Sequence, residues 1–346
     1  MSQFHKLSIK EVIKETSSAV SLVFDIPSEL QSVFSFEAGQ YITLKTIING
    51  EDVRRAYSLC SSPKSGEIKV AVKAVENGTF SVHANETLKA GDTLEVAVPE
   101  GKFVLNAEAN KNYIGFCAGS GITPVLAMVK SVLESDTNAT FTLVYGNKSA
   151  SETIFYDEIN ALAEANPDQL TVNYIYSREK VEGGLSGRIN KGHVDYFTKN
   201  KSFDKAFLCG PEQMIEVVSE TLQANGFEKA NVLFELFTSS ESTETIATEV
   251  SSNGETEITV ILDDEETTFT MKQSDDVLSA SLRNKLDAPY SCQGGICSSC
   301  LCKVTEGEAK MIKNHILNED EVADGFVLAC QARPITPKIT IDFDDV

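Results

Sequence analysis

No stretch of this 346-residue sequence approaches the roughly 18 apolar residues that a membrane-crossing helix needs, so a soluble chain is expected. The opening MSQFHKLSIKEV has neither a basic segment followed by an apolar stretch nor a cleavage-like site, which argues against secretion and for a cytoplasmic location. Positive charge is scarce as well: 30 Lys and Arg stand against 51 Asp and Glu, a formal charge of −21 at pH 7. Such a chain repels nucleic acid and anionic lipid, and both are set aside as partners. No unit repeats with a period of about 20 to 50 residues, so solenoids and propellers are not expected. What is present is ordinary globular material, 42% hydrophobic and long enough for two or three domains.

The eight cysteines carry the strongest signal. Cys292, Cys297 and Cys300 stand in CQGGICSSC, and Cys330 follows about thirty residues later, which is the four-thiolate spacing of a plant-type [2Fe–2S] ferredoxin. Gly294 and Gly295 allow the backbone to curl closely around an inorganic cluster. A tetrahedral zinc site is the alternative. Zinc sites usually pair one CxxC with another or with histidines, whereas here a tight group of three meets a solitary fourth. Cys302, in the strand-like LCKV, is aimed away by alternation and is expected to be a buried free thiol. Cys60, Cys117 and Cys209 stand alone in apolar or motif contexts, which argues against a disulfide framework.

Three kinds of sequence follow one another. Residues 1–106 alternate apolar with polar in LSIKEVI, AVSLVFDI, QYITLKTII, EIKVAVKAV and DTLEVAV, as in an antiparallel β-barrel. One helix, roughly Phe80 to Leu88, is expected after Gly78, with Thr79 or Ser81 capping its free N–H groups. Residues 107–237 repeat strand, loop and helix, the pattern of an α/β domain with a mostly parallel sheet, whose ligands gather at the carboxyl ends of the strands. Residues 238–254, rich in Ser, Thr and Glu, have linker composition. Residues 255–346 open with the two strands of ITVILDDEETTFTM and suit a small α+β ferredoxin domain.

Four motifs point to nucleotide chemistry. In RAYSLCSSP, Arg55 and Tyr57 share one face of a strand, and Ser58 takes the other or turns at the strand's end. An arginine can hold a pyrophosphate and a tyrosine ring can pack on an isoalloxazine, although by chemistry alone an exposed Arg and a strand-packing Tyr are the more ordinary reading of the motif. GTFS, from Gly78 to Ser81, offers close backbone approach and a helix N-terminus. GSGITP, Gly119 to Pro124, joins a strand to a helix, with Thr123 expected as N-cap and Pro124 at the first helical position. CGPEQM, Cys209 to Met214, also ends a strand and opens a helix, and two such turns in one sheet build a crevice.

In this order and spacing, RAYSLCSSP, GTFS, GSGITP and CGPEQM resemble the ferredoxin–NADP reductase superfamily. With the C-terminal ferredoxin pattern, the whole chain is similar to the flavin-reductase components of bacterial multicomponent oxygenases, most nearly those of phenylacetyl-CoA epoxidases. The resemblance implies FAD held by Arg55, Tyr57 and Ser58, with Gly78, Phe80 and Ser81 near its pyrophosphate and Phe237, in FELF, over the flavin face; FMN is the alternative. It places Thr123 near flavin and nicotinamide, and Gly119, Cys209, Gly210 and Met214 along the dinucleotide cleft. Ser177 and Arg178, in YSREK, resemble the pair that binds the 2′-phosphate of NADP, so NADPH is favoured over NADH. A β-grasp fold is implied for the last domain.

A hydride carries two electrons and a [2Fe–2S] cluster accepts one, so the expected route runs from NADPH to FAD and then, singly, to the cluster. No general base is required; Ser58, Thr123, Cys209 and Glu235 are expected to orient or tune. The acceptor implied is an oxygenase, either a di-iron epoxidase or a Rieske enzyme. A reductase for another cytosolic metalloprotein, such as a hybrid-cluster protein, and a non-catalytic electron carrier are the alternatives. Residues 255–346 hold 18 acids against 8 bases, including Asp263 to Glu266, which suits either a solvated surface or a docking face for a basic redox partner.

Overall fold

The computed structural model describes residues 4–135, 138–180, 185–238 and 254–346, and the chain divides into two compact units, Phe4–Phe237 and the portion from Thr238 to Val346. Apart from Thr238 and Gly254, the expected linker lies outside the described residues.

The first unit begins with strands β1 (Phe4–Thr16), β2 (Ala19–Asp25), β3 (Tyr41–Ile48), β4 (Glu51–Ser58), β5 (Ile68–Lys73) and β6 (Thr93–Ala97). They form one antiparallel sheet in the order β4–β3–β6–β1–β2–β5. A bridge from Leu59 to Val70 brings the chain beyond β4 back to β5 and curls the sheet toward closure. Leu7, Leu22, Ile42, Leu44, Val70 and Phe80 fill its interior. Helix α1 (Thr79–Glu86) starts one residue before and ends two before the expected span. Neither Thr79 nor Ser81 caps it: the N-cap is extended Gly78, without a side-chain cap. The Ser81 hydroxyl instead accepts the Val75 N–H at 3.1 Å, bracing the turn ahead of the helix.

The second half of this unit contains β7 (Asn112–Ala118), α2 (Ile122–Leu133), β8 (Thr140–Asn147), α3 (Tyr156–Ala165), β9 (Leu170–Tyr176), β10 (Leu185–Ser186), α4 (Lys191–Thr198), β11 (Lys205–Pro211), α5 (Glu212–Ala224) and β12 (Val232–Thr238). Their sheet runs β10–β9–β8–β7–β11–β12, with β7 to β11 paired in parallel. The interiors of β7 and β11 are buried throughout, as expected of parallel strands covered on both faces. From β7 the chain moves outward through β8 and β9, then crosses to β11 on the other side. The β7/β11 pair is therefore the switch point, where such sheets open a crevice.

Thr123 is not the N-cap of α2. Gly119–Gly121 forms a short 3₁₀ turn that starts the helix earlier, so Gly121 is the N-cap and Pro124 the third helical residue. The Thr123 hydroxyl donates back to the Ser120 carbonyl at 3.0 Å. Helix α4 and the short β10 fill the stretch between β9 and β11.

The second unit holds β13 (Glu255–Leu262), β14 (Glu265–Lys272), α6 (Val277–Arg283), β15 (Leu301–Glu306), β16 (Ala309–Met311), α7 (Glu319–Ala323), β17 (Phe326–Leu328), β18 (Ala332–Pro334) and β19 (Lys338–Asp342). The main sheet, β14–β13–β19–β15–β17, places β19 parallel to β13 in its centre and has β16–β18 as a separate ribbon. Asp263 and Asp264 both take positive φ, the requirement of a two-residue hairpin turn. Their N–H groups donate to the two oxygens of Asp344 at 3.0 and 2.8 Å.

Candidate functional site

Two sites emerge, one in each unit. In the first, alternation on β4 leaves Arg55 exposed and Tyr57 half-buried on one face while Ser58 is buried on the other, opposite Tyr41. The Tyr57 ring lies 5.5 Å from that of Phe80, which joins RAYS to GTFS, and burial drives its phenol well above the usual range. Gly78 has no room for a side chain, because a Cβ would stand 2.3 Å from Ser81 Oγ.

Ser58 Oγ donates to Glu235 Oε2 at 3.1 Å, across 177 residues of sequence. This bond ties the β1–β6 barrel to β12. Part of Glu235 stays accessible, but burial of its carboxyl pushes it up to about 8, opposed by the Ser58 hydrogen bond. Phe237, half-buried, packs against the cluster that contains Cys117 and Cys209.

The two glycine turns touch. A Cβ on Gly121 would sit 2.1 Å from the Cys209 carbonyl oxygen, so GSG and CGP meet backbone to backbone. Cys117 and Cys209 are free thiols, as expected, and are register partners on adjacent β7 and β11, where burial pushes both thiols well up. Gly119 adopts φ +56°, and Tyr145 Oη donates to its carbonyl at 2.9 Å. Met214, in the first turn of α5, lies buried beside Gly210, where a Cβ would meet its Cε at 2.9 Å. Ser177 and Arg178 follow β9, exposed, with backbone N–H bonds to Asn147 and Lys148 carbonyls at 2.9 Å.

One residue escaped the motifs. Lys73, at the end of β5, has its Nζ 3.8 Å from the Cβ position of Gly119, and burial and then Lys148 push its ammonium below the usual range. Its cation therefore stands beside the GSG turn. The only sequence signal was a lysine closing an apolar strand five residues before Gly78.

In the second unit the four thiols converge. Contacts run Cys297–Cys292–Cys330–Cys300, with Cys297 Sγ to Cys292 Sγ at 3.0 Å. The Gly294 N–H donates to Cys292 Sγ at 3.3 Å, and these bonds hold that thiol far below its usual range. Among the described residues, no group of three or more Cys, His, Asp or Glu is placed to hold a single metal ion. The buried Ser291 hydroxyl beside Cys292 has no protein partner, and Gly295, at φ +73°, has no space for a Cβ. A tight loop, four sulfurs and an unsatisfied hydroxyl fit an iron–sulfur group. Cys302 stays outside the set, buried, with its thiol toward the Val327 carbonyl.

Comparison with known proteins agrees with this division. Residues 6–105 match the oxidoreductase FAD-binding domain, residues 116–220 the oxidoreductase NAD-binding domain and residues 260–334 the 2Fe-2S iron-sulfur cluster binding domain. The chain is 37% identical over 352 residues to a component of the 1,2-phenylacetyl-CoA epoxidase of Escherichia coli (strain K12), covering 99% of each. It is 34% identical over 347 residues to the ferredoxin reductase component of 3-ketosteroid-9-alpha-monooxygenase of Rhodococcus rhodochrous, covering 97% of this chain and 96% of that one. Its fold resembles that of phthalate dioxygenase reductase, with a TM-score of 0.66 at 23% identity over 98% of both chains. The chain belongs to the ferredoxin–NADP reductase superfamily, among the oxygenase reductases that carry a C-terminal 2Fe-2S domain.

Proposed function

We propose that this chain is the cytoplasmic electron-supply component of a multicomponent oxygenase, drawing on NADPH and using FAD and a [2Fe–2S] cluster. The observation that carries the proposal is the juncture where Ser58 meets Glu235 while the Gly121 and Cys209 turns touch at the sheet's switch point. When bound, the flavin accepts a hydride's two electrons and gives them up singly, as a one-electron cluster requires.

The residues serve that chemistry by binding and placement. Arg55 and the GTFS turn would hold the flavin's pyrophosphate, while Tyr57 and Phe237 cover its ring system. Gly119, Thr123, Gly210 and Met214 shape the dinucleotide cleft, and Lys73 adds a cation beside it. Burial raises the Glu235 carboxyl to about 8, which lessens the negative charge it would put beside a bound flavin. Cys292, Cys297, Cys300 and Cys330 would hold the cluster. Arg178 and Ser177, exposed after β9, suit the 2′-phosphate of NADPH.

Relatives named as epoxidase and monooxygenase components support an oxygenase as acceptor. The acidic turn at Asp263–Glu266, with Asp344 beneath it, suits a basic face on that acceptor. Two experiments test the proposal. In anaerobic stopped flow, NADPH should bleach the flavin of Cys297→Ser at the wild-type rate, while cytochrome c reduction through the cluster is lost; full cytochrome c reduction by that variant would sink the assigned route. For cofactor choice, Arg178→Ala should raise KM for NADPH by about tenfold or more, the loss of a charge-assisted phosphate contact, and leave KM for NADH nearly unchanged.

A further inference from the structure

Cys330 reaches the cluster loop from a segment thirty residues away, and the next residue, Gln331, contacts both. Its Nε2 donates to the Gln293 carbonyl at 3.3 Å and to Cys330 Sγ at 3.7 Å. Two backbone features accommodate it. Gln293 holds a left-handed φ of +55°, uncommon for a residue with a side chain. Gly295 leaves open the space that the Gln331 side chain crosses, since a Cβ there would stand 2.9 Å from Gln331 Cγ. The main chain of Gln331 is fixed independently, its N–H to the Leu328 carbonyl at 2.8 Å and its carbonyl to the Ile312 N–H at 3.1 Å. The side chain is thus aimed by its backbone and received by a strained, glycine-opened loop.

We infer that Gln331 is a positioning residue for the cluster: its amide clasps the Cys330 arm to the Cys292–Cys300 loop and, by donating to a ligand sulfur, raises the cluster's reduction potential. An N–H directed at a thiolate ligand withdraws electron density and so favours the more negative, reduced state. The same amide group closes the loop around the ligand that sequence separation makes easiest to lose. The inference rests on the cluster assignment above.

The test uses the full-length holoprotein. Wild type, Gln331→Leu and Gln331→Glu are titrated anaerobically by absorbance and EPR, and cluster loss to a chelator is followed by bleaching. Both variants should have a lower potential and should lose the cluster about tenfold faster, the usual scale for an outer-shell partner. Flavin reduction by NADPH should be unchanged. With Gln331→Glu the deficit in potential should shrink as pH falls through the carboxyl's titration, because the protonated group regains a donor. A Gln331→Leu chain that retains flavin yet purifies without cluster also supports the clasp, and the near-isosteric Gln331→Glu then supplies the potential. Wild-type potential and wild-type loss rate in both variants would overturn the inference. Absence of a [2Fe–2S] signature from the wild type would instead refute the cluster assignment itself.

Discussion

Glu235 shows how one side chain acquires its chemistry from its surroundings. The motif FELF marks it in sequence, but only burial lifts its carboxyl from an ordinary value of 4.5 to about 8. Between these values the folded chain holds a proton that the unfolded chain releases, so stability falls as pH rises from about 4.5 to about 8 and levels off above. Glu235→Gln should remove this component. Denaturant midpoints at pH 5, 7 and 8.5 should decline less steeply in the variant than in the wild type, and parallel profiles would contradict the assigned shift. Ser58, whose hydroxyl donates to Glu235, was legible as a motif residue; that it meets this carboxyl was not.

Among the elements, the turns after β7 and β11 decide most. Both were recognisable as strand-to-helix junctions, because glycine and proline punctuate buried apolar runs there. Which residue caps α2 was not, since the 3₁₀ turn at Gly119–Gly121 begins the helix before Thr123. The two glycines also serve different ends. Gly121 has φ −62°, open to any residue, but a Cβ would press on the Cys209 carbonyl. Gly121→Ala should therefore cost about 1–3 kcal/mol through overpacking and raise KM for NADPH, as chemical denaturation and steady-state kinetics would report. A variant with wild-type stability and KM would mean that the two turns need not touch.

At the level of the first unit, a polar seam holds the barrel against the nucleotide sheet. Lys130 on α2 reaches Glu158 on α3 at 2.6 Å and the Cys60 carbonyl at 2.9 Å. Lys69 on β5 lies 3.7 Å from Glu15 and 3.8 Å from Glu158, over the ring of Phe155. Lys64 adds a bond to the Glu134 carbonyl at 2.7 Å, and Ser62 a bond to the Glu134 carboxylate. Since the Glu158 side chain is 35% exposed, water screens part of this attraction. Lys130→Met should cost about 1–2 kcal/mol, less than a fully buried pair would, and slow flavin reduction by loosening the fit between the two domains. Calorimetry at low and high salt checks the first outcome and stopped flow the second. The charged residues of this seam belong to no sequence motif, because their partners lie on other elements.

What the sequence by itself determined is what a few neighbouring residues can encode: the thiolate spacing, the two-residue alternation of the barrel strands, and the strand–turn–helix grammar of the nucleotide domain. These follow from backbone periodicity and the conformational limits of glycine and proline, which act locally. Tertiary structure decided the rest. It set Cys117 opposite Cys209, brought Ser58 to Glu235 and laid Gln331 across the cluster loop. Such meetings depend on strand order and on long-range burial, and the same local pattern is compatible with many partners until the chain has closed around one of them.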